Sequence, residues 1–166
     1  MNGSVRRIRH LLLAATGAFC LLAASRPSTI SVTAATDASD VNATITKWVA
    51  DFNKGDMKAF VAACASRAAV VDGFPPYAWQ SCGEWISAYE ANNKAIQASP
   101  GTLTIGKAIY TEINGAHAYY IYPATFRDTQ KGKPATYKGT WTMTLEKTRG
   151  GWVFTGSASA WGVNTL

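Results

Sequence analysis

The sequence predicts an α+β domain, with about three N-terminal helices packed on one face of a mainly antiparallel sheet. Three observations predict it. Apolar residues recur at helical spacing through residues 41–96, and they alternate with period two from residue 103 onward. No helical pattern interrupts the later strands, which excludes a doubly wound parallel sheet.

The elements follow in order. Thr36 to Asp40 offer helix caps, and Val41, Ile45, Trp48, Val49 and Phe52 then mark one apolar helical face that Gly55 ends. Asp56 caps a short second helix with Met57, Phe60, Val61 and Cys64 inward. Ala68-Ala69-Val70-Val71 reads as a short buried strand ended by Asp72-Gly73, and Pro75-Pro76 forbids regular structure beyond it. Ser81 and Glu84 form a capping box for a third helix, whose buried stripe is Trp85, Ile86, Tyr89 and Ile96. Ser99-Pro100-Gly101 closes that helix.

Leu103, Ile105, Ile109 and Ile113 mark one long strand, and Asn114-Gly115 predicts a two-residue hairpin. The return strand runs from about His117 to Phe126, followed by a polar loop from Asp128 to Pro134. Tyr137 to Leu145 then places Thr140, Thr142 and Thr144 on one face and large apolar side chains on the other. Arg149-Gly150-Gly151 turns the chain into a last strand, Trp152 to about Trp161.

Residues 1–34 read as a removable export signal. Arg6, Arg7 and Arg9 precede the apolar run Leu11 to Ala24, and small residues recur at Val32-Thr33-Ala34. That run falls short of the roughly 20 residues of a membrane span, so contact with a membrane is expected only through this segment before cleavage. The whole chain carries 16 Lys+Arg against 10 Asp+Glu. Arg6, Arg7, Arg9 and Arg26 depart with the signal, leaving twelve bases, ten acids and a net charge of +2. The basic balance therefore belongs to the leader, and no nucleic-acid partner is expected. Cys64 and Cys82 remain after cleavage. An exported protein favours a disulfide between them over two buried thiols, with a stabilisation of about 3 kcal/mol.

Three segments carry a family resemblance: Phe52-Asn53-Lys54-Gly55-Asp56, Val71-Asp72-Gly73-Phe74-Pro75-Pro76-Tyr77-Ala78-Trp79, and Gly151-Trp152-Val153-Phe154-Thr155-Gly156. In this order they resemble the nuclear-transport-factor-2-like superfamily, in its SnoaL-like and ketosteroid-isomerase-like branch. The resemblance implies a single domain over residues 37–163, shaped as a cone: a strongly curved sheet wrapped on three helices around an apolar cavity. It also implies a homodimer formed through the outer face of the sheet.

Candidate chemistry is sparse. His117 is the sole histidine after the signal, so neither a Ser-His-Asp set nor a zinc cluster has the residues it needs. No glycine-rich phosphate loop is present and no cofactor is expected. Asp72 is the candidate catalytic group. It follows an apolar strand and precedes Phe74, Tyr77, Trp79 and Trp85, and rings around a carboxylate strip its hydration and favour proton acceptance. A turn-forming Asp-Gly pair explains the same residue without chemistry. Tyr77, Tyr110, Tyr120, Tyr122 and Tyr137 are available phenols. Phe74, Tyr77, Trp79, Trp85, Tyr89, Tyr120, Tyr122 and Trp141 are expected to line a pocket for a small apolar or aromatic molecule. Three readings stay open: a binding domain, a cofactor-free acid–base enzyme using Asp72, and an assembly domain with a filled core.

Overall fold

The computed structural model describes residues 32–162. The expected signal segment therefore lies outside the described residues, apart from its last three positions. Three helices precede and interrupt a seven-stranded sheet: α1 (Val32–Lys54), α2 (Met57–Ala62), β1 (Cys64–Val71), β2 (Ala78–Trp79), α3 (Cys82–Ile96), β3 (Thr102–Ile105), β4 (Tyr110–Asn114), β5 (His117–Gln130), β6 (Lys133–Thr148) and β7 (Gly151–Trp161). The sheet order is β2-β1-β7-β6-β5-β3, with β4 beside β3 on the same edge of β5. All pairings are antiparallel except β1 with β7.

The apolar stripe of α1 is buried as its spacing dictates, with Val41, Ile45 and Trp48 at 0–1% exposure. Trp48 stacks between Phe60 of α2 at 4.2 Å and Phe154 of β7 at 4.1 Å, and its indole N–H donates to the Phe60 carbonyl. One side chain thus joins two helices to the sheet. The helix itself begins earlier than its cap-forming residues suggest, at Val32 rather than after Asp40. Asp37 is buried there in an ion pair with Lys147 of β6, a tertiary contact that outweighs the local capping preference of Thr and Asp.

α3 starts as predicted. The Ser81 hydroxyl accepts the Glu84 amide, and the Glu84 carboxylate accepts from Gln80 N–H, one residue further back than a capping box requires. Cys64 and Cys82 are joined, tying the first residue of β1 to the first of α3 with a Cα–Cα distance of 6.5 Å.

β1 starts at Cys64, which the sequence reading puts on the second helix, rather than at Ala68, and β2 is an added short strand. The strands after α3 differ from the sequence reading in three ways. The segment from Leu103 to Ile113 is two strands, because Pro123 on the facing strand has no N–H to continue the ladder. β3 pairs up to Ala124 and β4 resumes at Ile121; between them Gly106 N–H donates to the Pro123 carbonyl and Ile109 N–H to the Ile121 carbonyl. The Asn114-Gly115 hairpin forms with Gly115 and Ala116 as its turn, since Asn114 still pairs with His117. The expected loop Asp128 to Pro134 is instead mostly strand. Lys131 and Gly132, both at positive φ, make a two-residue turn that leaves Asp128, Thr129 and Gln130 in register with Ala135, Pro134 and Lys133.

The inner face of β5 and β6 supplies most of the core. Ala118, Tyr120, Tyr122 and Ala124 alternate inward on β5, matched by Trp141, Met143 and Leu145 on β6. The threonines between them point to the outer face, as their alternation predicts. α1 covers one end of this face, with Asp37 against Lys147, Asn42 against Tyr122 and Trp48 against Trp141 and Phe154. The other end is left open.

Candidate functional site

At that open end lies a cavity of about 310 Å³, at the small end of the usual range for small-molecule sites. Its walls come from α1 (Trp48, Phe52), α3 (Trp85, Tyr89, Asn92, Asn93, Ile96), β1 with the loop after it (Val70 to Phe74), β5 (Phe126, Asp128, Gln130), β6 (Tyr137, Trp141) and β7 (Ser157, Ser159, Trp161). The aromatic wall is continuous: Phe52 lies 6.1 Å from Trp85 and 5.5 Å from Tyr89, and Phe126 lies 6.3 Å from Trp161. Glycine makes room for Phe126. A Cβ on Gly101 would come within 1.9 Å of its ring.

Of the residues expected to line a pocket, Phe74, Trp85, Tyr89 and Trp141 are on this wall. The other four are elsewhere. Tyr77 is 57% exposed at the tip of the diproline loop. Trp79 is buried in β2 against Phe74, at a ring distance of 4.8 Å. Tyr120 and Tyr122 belong to the core, stacked 5.9 Å apart, with the Tyr122 hydroxyl donating to Asn42 of α1. Burial pushes the Tyr122 phenol up to about 12, with Tyr120 adding to the shift, and desolvation raises Tyr120 as well. His117 is exposed at the start of β5.

Asp72 sits half-buried at the cavity edge, and four donors meet its carboxylate. Oδ1 accepts from the Gly73 amide at 2.7 Å, the Trp161 indole at 3.0 Å and the Ser159 hydroxyl; Oδ2 accepts from the Trp85 indole at 3.0 Å. The turn reading of Asp72 is thus part of the geometry, through Gly73, but two tryptophans and a serine are bonded as well. An ionised carboxylate has about four acceptor positions, two per oxygen. Oδ1 meets three donors, one more than its two positions, whereas Oδ2 meets one and keeps a position for a further donor.

Ser159 and Trp161 reach Asp72 because of a bulge. Leu145 pairs with Phe154 but Thr144 pairs with Gly156, so Thr155 is the extra residue in β7. Before the bulge the even-numbered Trp152 and Phe154 are buried; after it the odd-numbered Ser157, Ser159 and Trp161 line the cavity. A second polar group sits on the β5–β6 wall. The Gln130 amide nitrogen donates to the Asp128 carboxylate at 3.1 Å and to the Tyr137 hydroxyl at 2.5 Å. Among the described residues no cluster of three or more His, Cys, Asp or Glu is placed to hold a metal ion.

A curved mixed sheet closed by three helices around an aromatic hollow defines the nuclear-transport-factor-2-like class, with its cystatin-like fold. Within that class, residues 41–159 match the SnoaL-like domain, and the chain belongs to this family. Solved structures agree on the fold. A protein of Novosphingobium aromaticivorans, provisionally assigned as a scytalone dehydratase, is similar with a TM-score of 0.68 at 10% identity, covering 80% of this chain and 89% of that one. A nuclear-transport-factor-2-like protein from Salmonella enterica serovar Typhimurium gives 0.65 at 12% identity, covering 80% and 96%. A further nuclear-transport-factor-2-like protein of Novosphingobium aromaticivorans, with a cystatin-like fold, gives 0.64 at 14% identity, covering 78% and 84%. No curated protein matches the chain.

Proposed function

We propose that the protein is an exported binding domain that holds a small, largely apolar ring molecule in the aromatic cavity, anchored by a donor on Asp72. The observation that carries this reading is the pairing of an unfilled hollow with a carboxylate whose Oδ2 has one acceptor position to spare. Aromatic walls supply most of the affinity by area, and one charge-assisted hydrogen bond fixes orientation. Titration with a panel of bicyclic alcohols and phenols, followed by calorimetry and tryptophan fluorescence, tests it. Saturable binding is expected, lost in Ser157→Trp, which fills the cavity from β7. Absence of binding across the panel, or binding indifferent to that substitution, refutes it.

The second reading is acid–base catalysis at the same carboxylate, favoured by the open acceptor position and by the presence of a provisionally assigned dehydratase among the similar folds. Here Asp72 removes a proton next to a carbonyl. It predicts exchange of the α-protons of 2-tetralone in deuterated water, read by NMR and abolished in Asp72→Asn; no exchange above the solvent rate sinks it.

Export rests on the leader pattern and fits the Cys64–Cys82 bridge. Among the described residues no helix is long and apolar enough to cross a membrane. N-terminal sequencing of the mature protein is expected to begin near residue 35, ahead of a domain spanning 37–163; an intact Met1 in the released protein overturns this. The homodimer reading is supported by aromatic exposure on the outer sheet, where Tyr110 and Tyr119 are 47% and 38% exposed. Light scattering at micromolar concentration checks it, and a monomer refutes it.

A further inference from the structure

We infer that the cavity has a second polar pole at Tyr137, and that its ligand is therefore two-ended, with a donor for Asp72 and a carbonyl-type acceptor for the Tyr137 hydroxyl. The inference rests on the binding reading above and names the class of ligand for the same site.

The assignment follows from donor and acceptor counting. Asp128, Gln130 and Tyr137 all line the cavity, on the inner face where Phe126 pairs with Tyr137. An ionised Asp128 only accepts, so the group of Gln130 lying 3.1 Å from it is the NH2 and not the carbonyl oxygen. The same nitrogen lies against the Tyr137 oxygen. It has only hydrogens to offer, so Tyr137 accepts there. The hydroxyl proton of Tyr137 must then point away from Gln130, and no acceptor among the described residues takes it.

Asp128 thus fixes Gln130, and Gln130 fixes Tyr137 as a donor. The Phe126 ring stands between the poles, 6.2 Å from Tyr137 and 6.3 Å from Trp161, whose indole holds Asp72. A rigid ring system lying along Phe126 spans the two. One end gives a hydrogen to Asp72 Oδ2 and the other receives one from Tyr137. A molecule with a hydroxyl at one end and a ketone at the other has that chemistry; a diol lacks the strong acceptor, and a plain hydrocarbon lacks both.

The test uses a matched pair of probes, 6-acetyl-2-naphthol and 6-ethyl-2-naphthol, the first with a carbonyl where the second has a methylene. Calorimetry on the mature protein is expected to give about three- to tenfold tighter binding of the acetyl probe, the worth of one neutral hydrogen bond. In Tyr137→Phe that ratio should fall to one, with far-UV circular dichroism and the urea midpoint showing that the variant is folded. Gln130→Leu frees the phenol to rotate and should reduce the ratio without abolishing it. Equal binding of the two probes by the wild type, or a ratio that survives Tyr137→Phe, overturns the second pole and leaves the cavity reading intact. Failure of both probes to bind overturns both readings at once.

Discussion

Replacing Asp72 with Asn separates a carboxylate that is held in place from one that merely closes a turn. The amide keeps one oxygen, and three donors demand that it occupy the Oδ1 position: Gly73 N–H, Ser159 O–H and Trp161 Nε1–H. The new NH2 then lands where Oδ2 was, facing Trp85 Nε1–H donor to donor. Trp85 is 8% exposed, so its indole N–H is left largely without a partner. An orphaned buried donor costs about 1–3 kcal/mol, and the three surviving bonds lose their charge assistance. Cavity water offsets part of this because Asp72 is only half-buried, so the expected loss is about 2 kcal/mol, or roughly a 30-fold fall in the folding constant. Urea denaturation followed by tryptophan fluorescence measures it, with an unchanged m-value as the sign that native stability alone has moved. The mechanism has its own check. In a Trp85→Phe background the donor clash is gone, so Asp72→Asn should cost at least about 1 kcal/mol less than in the wild type. A loss below about 0.5 kcal/mol, or full additivity with Trp85→Phe, shows that water serves these donors equally well and removes the reason for placing Asp72 at the centre of the site.

Three further outcomes are expected. Replacing Cys64 and Cys82 together by Ala opens a loop with a sequence separation of 18, which costs about 3 kcal/mol in the chain-entropy treatment and should appear as a lower urea midpoint; no change would mean the bridge is absent in the folded protein. Tyr122 should not ionise in the native state near its ordinary value of 10.0. Its folded-state affinity for the proton is the higher one, so the stability it contributes is whole below pH 10 and is lost as the pH rises through about 12; absorbance at 295 nm and circular dichroism should rise and fall together there, and Tyr122→Phe should remove that component. Gly101→Ala should drive Phe126 into the cavity and weaken binding of 6-ethyl-2-naphthol at least about tenfold, since the added carbon meets that ring at 1.9 Å; unaltered affinity would show that Phe126 is not a fixed wall.

Much of the fold is legible because its signals are local. The α1 stripe, the Ser81–Glu84 start of α3 and the threonine alternation on β6 each need only a few neighbouring residues, and each stands in the structure as read. Where the reading departs, a partner distant in sequence decides. Pro123 splits the long strand from 14 or more residues away, and Lys147 extends α1 backward from the far end of the sheet. Local propensity cannot register either, because the competing term is a hydrogen bond missing from one strand or a charge arriving from another.

The site was harder to read than the fold for a related reason: its polar groups occupy positions that break the pattern used to find them. Strict alternation along β7 assigns Trp152, Phe154, Gly156 and Ala158 to one face and puts Ser157, Ser159 and Trp161 on the other. One extra residue at Thr155 reverses that parity, and the three residues that finish the cavity become invisible to a period-two reading. Asp128 and Gln130 are hidden in the same way, because a run of polar residues before Lys131-Gly132 reads as loop, whereas the tight turn keeps them in strand register and facing inward. The tyrosines fail in the opposite sense. Tyr120 and Tyr122 do alternate onto the concave face, but α1 covers that end, so the same inward direction means core at Tyr120 and cavity wall at Phe126. Periodicity reports which face a side chain takes. Whether a helix lies over that face depends on the length and placement of α1, and the hollow exists because α1 stops at Lys54 while β5 and β6 run on to the Lys131-Gly132 turn.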